Sequence, residues 1–154
     1  MPQRKSVRLR SARYESGTHF VTITTKDRVR SFENPEMAER TINVLLNLRE
    51  KHKFQLFSYC LMPDHFHALI RVDDSDLDLS SICGRFKGLT TREFWHFGDG
   101  KLWQRGFYER IVKGDDAIYD CVRYIRENPV KAGLVDRWDK WPYYGEPDLD
   151  GWLF

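Results

Sequence analysis

Residues 54–72 read Phe-Gln-Leu-Phe-Ser-Tyr-Cys-Leu-Met-Pro-Asp-His-Phe-His-Ala-Leu-Ile-Arg-Val. Phe54–Cys60 has the aromatic and apolar content of a strand, and His65–Val72 has that of a second. Met62-Pro63-Asp64 breaks the run, because proline has no N–H to give to a ladder and marks a bend or a strand edge. Two strands joined by so short a break predict an antiparallel hairpin. Side chains on a strand alternate faces, so His65 and His67 point one way and Phe66 the other. Two imidazoles on one face suit a metal ion. They also suit a satisfied core or surface position, so the pair alone defines no site.

Working outward, Thr18–Thr25 is rich in β-branched and aromatic residues and predicts a strand before the hairpin. Asn34-Pro35-Glu36 is a helix start, with a capping amide, a proline at the first position and an early acid. Ile42, Leu45, Leu46 and Leu48 give that helix an apolar face to about Lys51. After the hairpin comes an acidic loop with Asp73, Asp74, Asp76 and Asp78. A helix follows from Leu79 to Trp95, with Ile82, Phe86, Leu89 and Phe94 at mainly helical spacing. Gly98-Asp99-Gly100 closes that region, and Trp103–Val112 predicts a fourth strand. Asp115 to Glu127 predicts a last helix with acids in its first turn, where they complement the dipole. Pro129 stops it or kinks its final turn.

The order β-α-β-β-α-β plus one helix predicts an α+β fold of the ferredoxin-like or RRM-like kind. An antiparallel sheet would carry helices on one face, and the extra C-terminal helix would follow. The 154 residues form one domain by size. They suffice to bury roughly two-thirds of the unfolded chain's surface without a disulfide or a structural metal. Residues 1–13 form a basic arm, 14–145 the folded domain, and 146–154 an aromatic tail.

Cys60, Cys83 and Cys121 are odd in number and widely spaced, which argues against a zinc knuckle or a disulfide framework. No apolar run is long enough to span a bilayer, and the N-terminus has no apolar signal core, so a cytoplasmic protein without a membrane partner is expected. Net charge is only +2, but Arg4, Lys5, Arg8, Arg10 and Arg13 crowd the first 13 residues with no acid among them. Such an arm fits a polyanion, and it equally fits a solvated tail. Were all five to meet phosphates of one strand, the log–log salt slope would be about −3.5.

A metal site needs more than two imidazoles. Tyr124-Ile125-Arg126-Glu127-Asn128-Pro129 places Tyr124 and Asn128 on one helical face, since i and i+4 are neighbours. The Asn128 side-chain oxygen is a candidate third ligand. Two imidazoles and one oxygen with open positions suit Mg²⁺ or Mn²⁺ when phosphate oxygens complete the shell. The same residues also read as an ordinary helix end, with a half-buried tyrosine followed by Asn and Pro as a stop.

Three blocks together resemble a known family. Leu61-Met62-Pro63-Asp64-His65-Phe66-His67 resembles the HUH motif of single-tyrosine transposases. Trp103-Gln104-Arg105-Gly106-Phe107-Tyr108-Glu109 and the block from Tyr124 through Asn128-Pro129 to Ala132-Gly133-Leu134-Val135 resemble the other two motifs of REP-associated tyrosine transposases. These are relatives of the insertion-sequence-200-like transposases. The blocks stand in the family's order over about residues 14–145. Asp64 stands where Asn is often found, and Glu109 where Asp is common.

The resemblance implies an HUH transposase domain in which His65 and His67, with Asn128, bind a divalent cation, Mg or Mn. It implies Tyr124 as the nucleophile, attacking a phosphodiester to give a 5′-phosphotyrosine and a free 3′-hydroxyl. The implied substrate is single-stranded DNA beside a hairpin. Arg8, Arg10 and Arg13 would hold the strand near the hairpin foot, Lys87 and Arg92 would meet backbone phosphates, and Tyr108 would touch substrate. Neither a monomer nor a homodimer is favoured by the pattern. No G-x-x-x-x-G-K-[ST] loop occurs, in keeping with exchange of one phosphodiester for another. A non-catalytic single-strand-binding module shares the predicted fold, but the aromatic run typical of RNA-binding domains is missing. A hydrolase using activated water would cleave DNA without a covalent adduct.

Overall fold

The computed structural model describes residues 17–149. In chain order the elements are β1 (Thr18–Thr24), α1 (Pro35–His52), β2 (Gln55–Met62), β3 (His65–Arg71), α2 (Leu79–Phe94), β4 (Tyr108–Val112), α3 (Asp115–Lys131) and β5 (Tyr144–Gly145). The sheet runs β4-β1-β3-β2-β5, antiparallel throughout. The expected α+β order is present, and the hairpin forms the middle of the sheet. Among the described residues no helix is long and apolar enough to cross a membrane.

The helix starts follow from local chemistry. Asn34 Oδ1 accepts from the Glu36 and Met37 amides at 3.0 and 3.3 Å, and Pro35 fills the first position, where an N–H would have no partner. Asp78 caps α2 in the same way, accepting from Ser81 N at 2.9 Å.

The sheet is covered on both sides. α1 and α2 pack on one face, over Val21, Ile23, Phe66, Ala68 and Ile70. α3 packs on the other, where Ile118, Cys121, Val122 and Ile125 meet Phe20, Phe57, Cys60 and Leu69. Apolar burial on both faces explains why β2 and β3 read as nearly continuous apolar runs. Within α2, Leu89 departs from its expected core role and is 40% exposed. The buried stripe runs through Cys83, Phe86 and Thr90, and Thr90 accepts from Trp103 Nε1 at 2.8 Å.

The fourth strand is shorter than the expected Trp103–Val112. Gly106 has a φ of 77°, and Lys87 Nζ donates to the carbonyls of Gln104 and Gly106, so these groups are drawn away from the ladder. Trp103 keeps one bridge, to Thr25.

α3 outruns its expected end at Glu127 and passes through Pro129 to Lys131. Its close explains the Asn-Pro-Val-Lys-Ala-Gly-Leu run. Gly133 N–H donates to the Val130 carbonyl and Leu134 N–H to the Pro129 carbonyl, both at 2.9 Å. This is a Schellman motif, and it requires the positive φ of 76° that Gly133 adopts. Pro129 loses only one hydrogen bond near a helix end, which the closing turn accommodates.

The sequence pattern did not reveal β5. It adds to the edge of β2 at Tyr59 and Cys60, and a Cβ on Gly145 would lie 2.6 Å from the Tyr59 ring, so only glycine fits. Beyond it, Asp148 accepts from Arg49 Nε and from Leu56 N, both at 2.7 Å, and Leu149 is buried beneath α3. The chain also straps α3. Arg126 Nη2 donates to Glu146 Oε1 at 2.8 Å, and the Arg126 guanidinium carbon lies 4.2 Å from the Trp138 ring centre. Tyr144 hydroxyl joins the same carboxylate.

Candidate active site

The alternation along β3 divides three neighbouring residues between two environments. Phe66 turns to the α2 side and stacks on Phe86 with ring centres 4.7 Å apart. His65 and His67 turn to the α3 side, with ring centres 4.8 Å apart. The bulky residue between the histidines is therefore an anchor that sets the strand's rotation and depth.

Each imidazole is oriented by a hydrogen bond at Nδ1. Sheet register sets Thr22 opposite His67, and Thr22 Oγ1 lies 2.8 Å from His67 Nδ1. His65 Nδ1 lies 2.8 Å from Asp64 Oδ1, and Arg28 Nε donates to the other oxygen of the same carboxylate at 3.0 Å. In the tautomer with hydrogen on Nδ1, both rings present an unprotonated Nε2. Burial, with the charge of His65 adding to it, pushes the His67 pKa down to about 3, so that ring is neutral at ordinary pH. Burial tends to raise the Asp64 pKa, but His65 and Arg28 outweigh it and hold the group below its usual value.

α3 brings the remaining candidates. The Tyr124 ring lies 5.9 Å from His67 and 5.9 Å from Phe20, and Tyr124 is 48% exposed. Asn128 Nδ2 donates to the Tyr124 carbonyl at 3.2 Å. Its influence also reaches His67, where it opposes the downward push that burial gives the ring. The i,i+4 pair thus meets the histidine face. Among the described residues no group of three or more His, Cys, Asp or Glu side chains is placed to hold a metal ion. Two oriented imidazole nitrogens and one amide oxygen suit a divalent cation with open positions.

The other candidates divide. Tyr108 stands across β1 from Thr22 and packs edge-on against Phe20, with ring centres 6.0 Å apart, on the site face. Lys87 and Arg92 belong to α2, on the far side of the sheet from the histidines. The Lys87 ammonium serves the Gln104 and Gly106 carbonyls, while Arg92 is exposed. Arg4, Lys5, Arg8, Arg10 and Arg13 lie outside the described residues. Phe20 and Thr22 escaped the sequence reading. Both sit in THFVTITT, and the signal was the alternation that sets Phe20 and Thr22 on one face.

An antiparallel sheet bearing two histidines, faced by a helix bearing tyrosine and asparagine, defines a class. The chain belongs to the family described as "Transposase IS200 like", which it matches over residues 12–128. It is similar to REP-associated tyrosine transposases. A REP-associated tyrosine transposase of Escherichia coli (strain K12) is 26% identical over 130 residues, 84% of this chain and 76% of that protein. A Haemophilus influenzae (strain ATCC 51907 / DSM 11121 / KW20 / Rd) protein provisionally given the same name is 26% identical over 140 residues, 84% of this chain and 79% of that one. A solved REP-associated tyrosine transposase bound to a REP hairpin has the same fold, with a TM-score of 0.76 at 23% identity over 91% of this chain and 81% of that one.

Proposed function

We propose that this chain cuts and rejoins single-stranded DNA beside a hairpin, through a covalent 5′-phosphotyrosine on Tyr124. The observation that carries the reading is the meeting of Tyr124, whose carbonyl holds the Asn128 side chain, with the His65–His67 face. His65, His67 and Asn128 would hold Mg²⁺ or Mn²⁺. Such an ion supplies Lewis-acid stabilisation of the charge that builds on the scissile phosphate.

The residues of the chain do the rest. Thr22 and Asp64 fix the two rings. Tyr124 Oη attacks phosphorus; the Oη–P bond forms as the P–O3′ bond breaks. The phenolic proton leaves to solvent, and the departing 3′-oxygen takes one up. The link formed is itself a phosphodiester, so a 3′-hydroxyl can attack it and reverse the exchange without an external energy source. A phenol has a pKa near 10 and is a weak nucleophile at neutral pH, which is why it needs a polarised phosphate beside it. The hairpin preference draws support from the similar fold of the hairpin-bound relative. The basic arm, residues 1–13, would add phosphate contacts to the 14–145 unit.

The test is a labelled hairpin-bearing single strand incubated with Mn²⁺ and resolved under denaturing conditions. Wild type should yield a protein–DNA adduct, and Tyr124→Phe should bind the strand yet yield none. An undiminished adduct from the variant would move the nucleophile elsewhere. Cleaved DNA without attached protein would favour activated water.

A further inference from the structure

We propose that Arg110 is a phosphate receptor of this site, its guanidinium held on the Phe20 ring to take the backbone phosphate next to the scissile one. The proposal rests on the strand-cleavage reading above. The register of β4 against β1 sets Tyr108 opposite Thr22 and Arg110 opposite Phe20, so both side chains stand on the histidine face. The Arg110 guanidinium carbon lies 5.2 Å from the Phe20 ring centre. The same ring stacks on His67 at 5.5 Å, with planes 21° apart, and meets Tyr124 edge-on at 5.9 Å. One phenyl ring therefore borders a candidate ligand, the candidate nucleophile and a cation. The Arg110 charge is also felt at Cys121 on α3, where it opposes the upward push that burial gives the thiol.

The way Arg110 is held leaves its chemistry available. Arg40, Arg49, Arg71 and Arg126 are all paired with carboxylates. Arg110 is exposed, and among the described residues no carboxylate lies within ion-pair distance of it. A guanidinium over an aromatic face is attracted by the ring quadrupole without spending its five N–H donors on a carboxylate. Two of those donors match two phosphate oxygens. Because the ring contact already limits the side chain's freedom, less ordering is needed when a phosphate arrives.

The experiment compares wild type, Arg110→Gln and Arg110→Lys for binding a fluorescent hairpin-bearing single strand in EDTA across a salt series. Arg110→Gln should weaken binding roughly tenfold and lower the log–log salt slope by about 0.7, one single-strand phosphate contact. Arg110→Lys should keep the slope and lose part of the affinity. Neutral methylphosphonates placed one at a time should weaken wild-type binding at a position beside the cut site, and that sensitivity should vanish in Arg110→Gln. Thermal melts establish that each variant is folded. An unchanged slope, or an unchanged methylphosphonate profile, overturns the proposal. The Mn²⁺ adduct assay on wild type reports separately on cleavage. No adduct, with slope and profile still altered by Arg110→Gln, would remove the cleavage reading and leave the contact; an adduct with slope and profile unaltered would do the reverse. A wild type that binds no strand overturns both.

Discussion

Thr22→Val isolates what the orientation of His67 contributes. Valine keeps the β-branched shape, so strand pairing and packing are little disturbed, while the Oγ1 that lies 2.8 Å from His67 Nδ1 is removed. His67 is only 5% exposed, so water cannot easily replace the lost partner. A buried donor left unsatisfied costs about 1–3 kcal/mol, which is roughly a five- to 150-fold change in an equilibrium constant. Loss of a partner that orients a ligand typically weakens metal binding by about 10–100-fold, a range in agreement with that cost. The assay is Mn²⁺ titration calorimetry on wild type and variant, with urea unfolding in EDTA alongside. Thr24→Val is the control, because Thr24 sits opposite His65 in the same register with no hydrogen bond to it. The expected result is weaker Mn²⁺ binding for Thr22→Val and almost none of that loss for Thr24→Val. Equal Mn²⁺ affinities for wild type and Thr22→Val, in a folded variant, would refute the claim that this hydroxyl prepares the ring.

Two further outcomes test the scaffold. Phe66→Ala removes a 2%-exposed ring stacked on Phe86 and should cost about 3–5 kcal/mol in urea unfolding, with Mn²⁺ affinity falling too because β3 loses its anchor; a loss under about 1 kcal/mol would show that the ring is not the anchor. Asp148 is held below its usual carboxylate pKa by its hydrogen bonds to Arg49 first and to Leu56 N after, against the opposing effect of burial. Its stabilising contribution is therefore complete above the unfolded value of 3.8 and lost as pH falls through the lower folded value. Asp148→Asn should lower stability at pH 6 and narrow its gap to wild type at pH 3, measured by urea unfolding; a gap of constant size would contradict that linkage.

The central hairpin was legible because residues 54–72 carry both an alternation and a proline break, and neither depends on distant parts of the chain. The i,i+4 relation of Tyr124 and Asn128 was legible for the same reason. What escaped were features decided by tertiary partners. Pro129 reads locally as a stop, yet the turn closed by Gly133 lets α3 continue past it. Lys87 reads as an exposed cation on a helix, but two carbonyls from a distant loop claim its ammonium. Leu89 fits an apolar spacing and still faces solvent, because Trp103 selects Thr90 as the buried neighbour. β5 is two residues long and pairs with a strand some 80 positions earlier, so it has no periodicity to detect. At the site, the motif residues stood out, whereas Phe20 acquires its importance only when β1 is laid between β3 and β4.

The strap across α3 changes how sequence variation in this protein should be interpreted. Arg126 faces Glu146 and Trp138, two residues on from Tyr124 and on a different side of the helix. Residues well outside the three motif blocks therefore share control of where the tyrosine sits and how tightly it is held there. On the proposed reading, a relative that kept every histidine, tyrosine and asparagine but lost Glu146 would possess the proposed reactive groups on an unmoored lever. Its defect would surface as imprecision, with slower or misplaced cutting, and inspection of the motifs alone would pass it as intact.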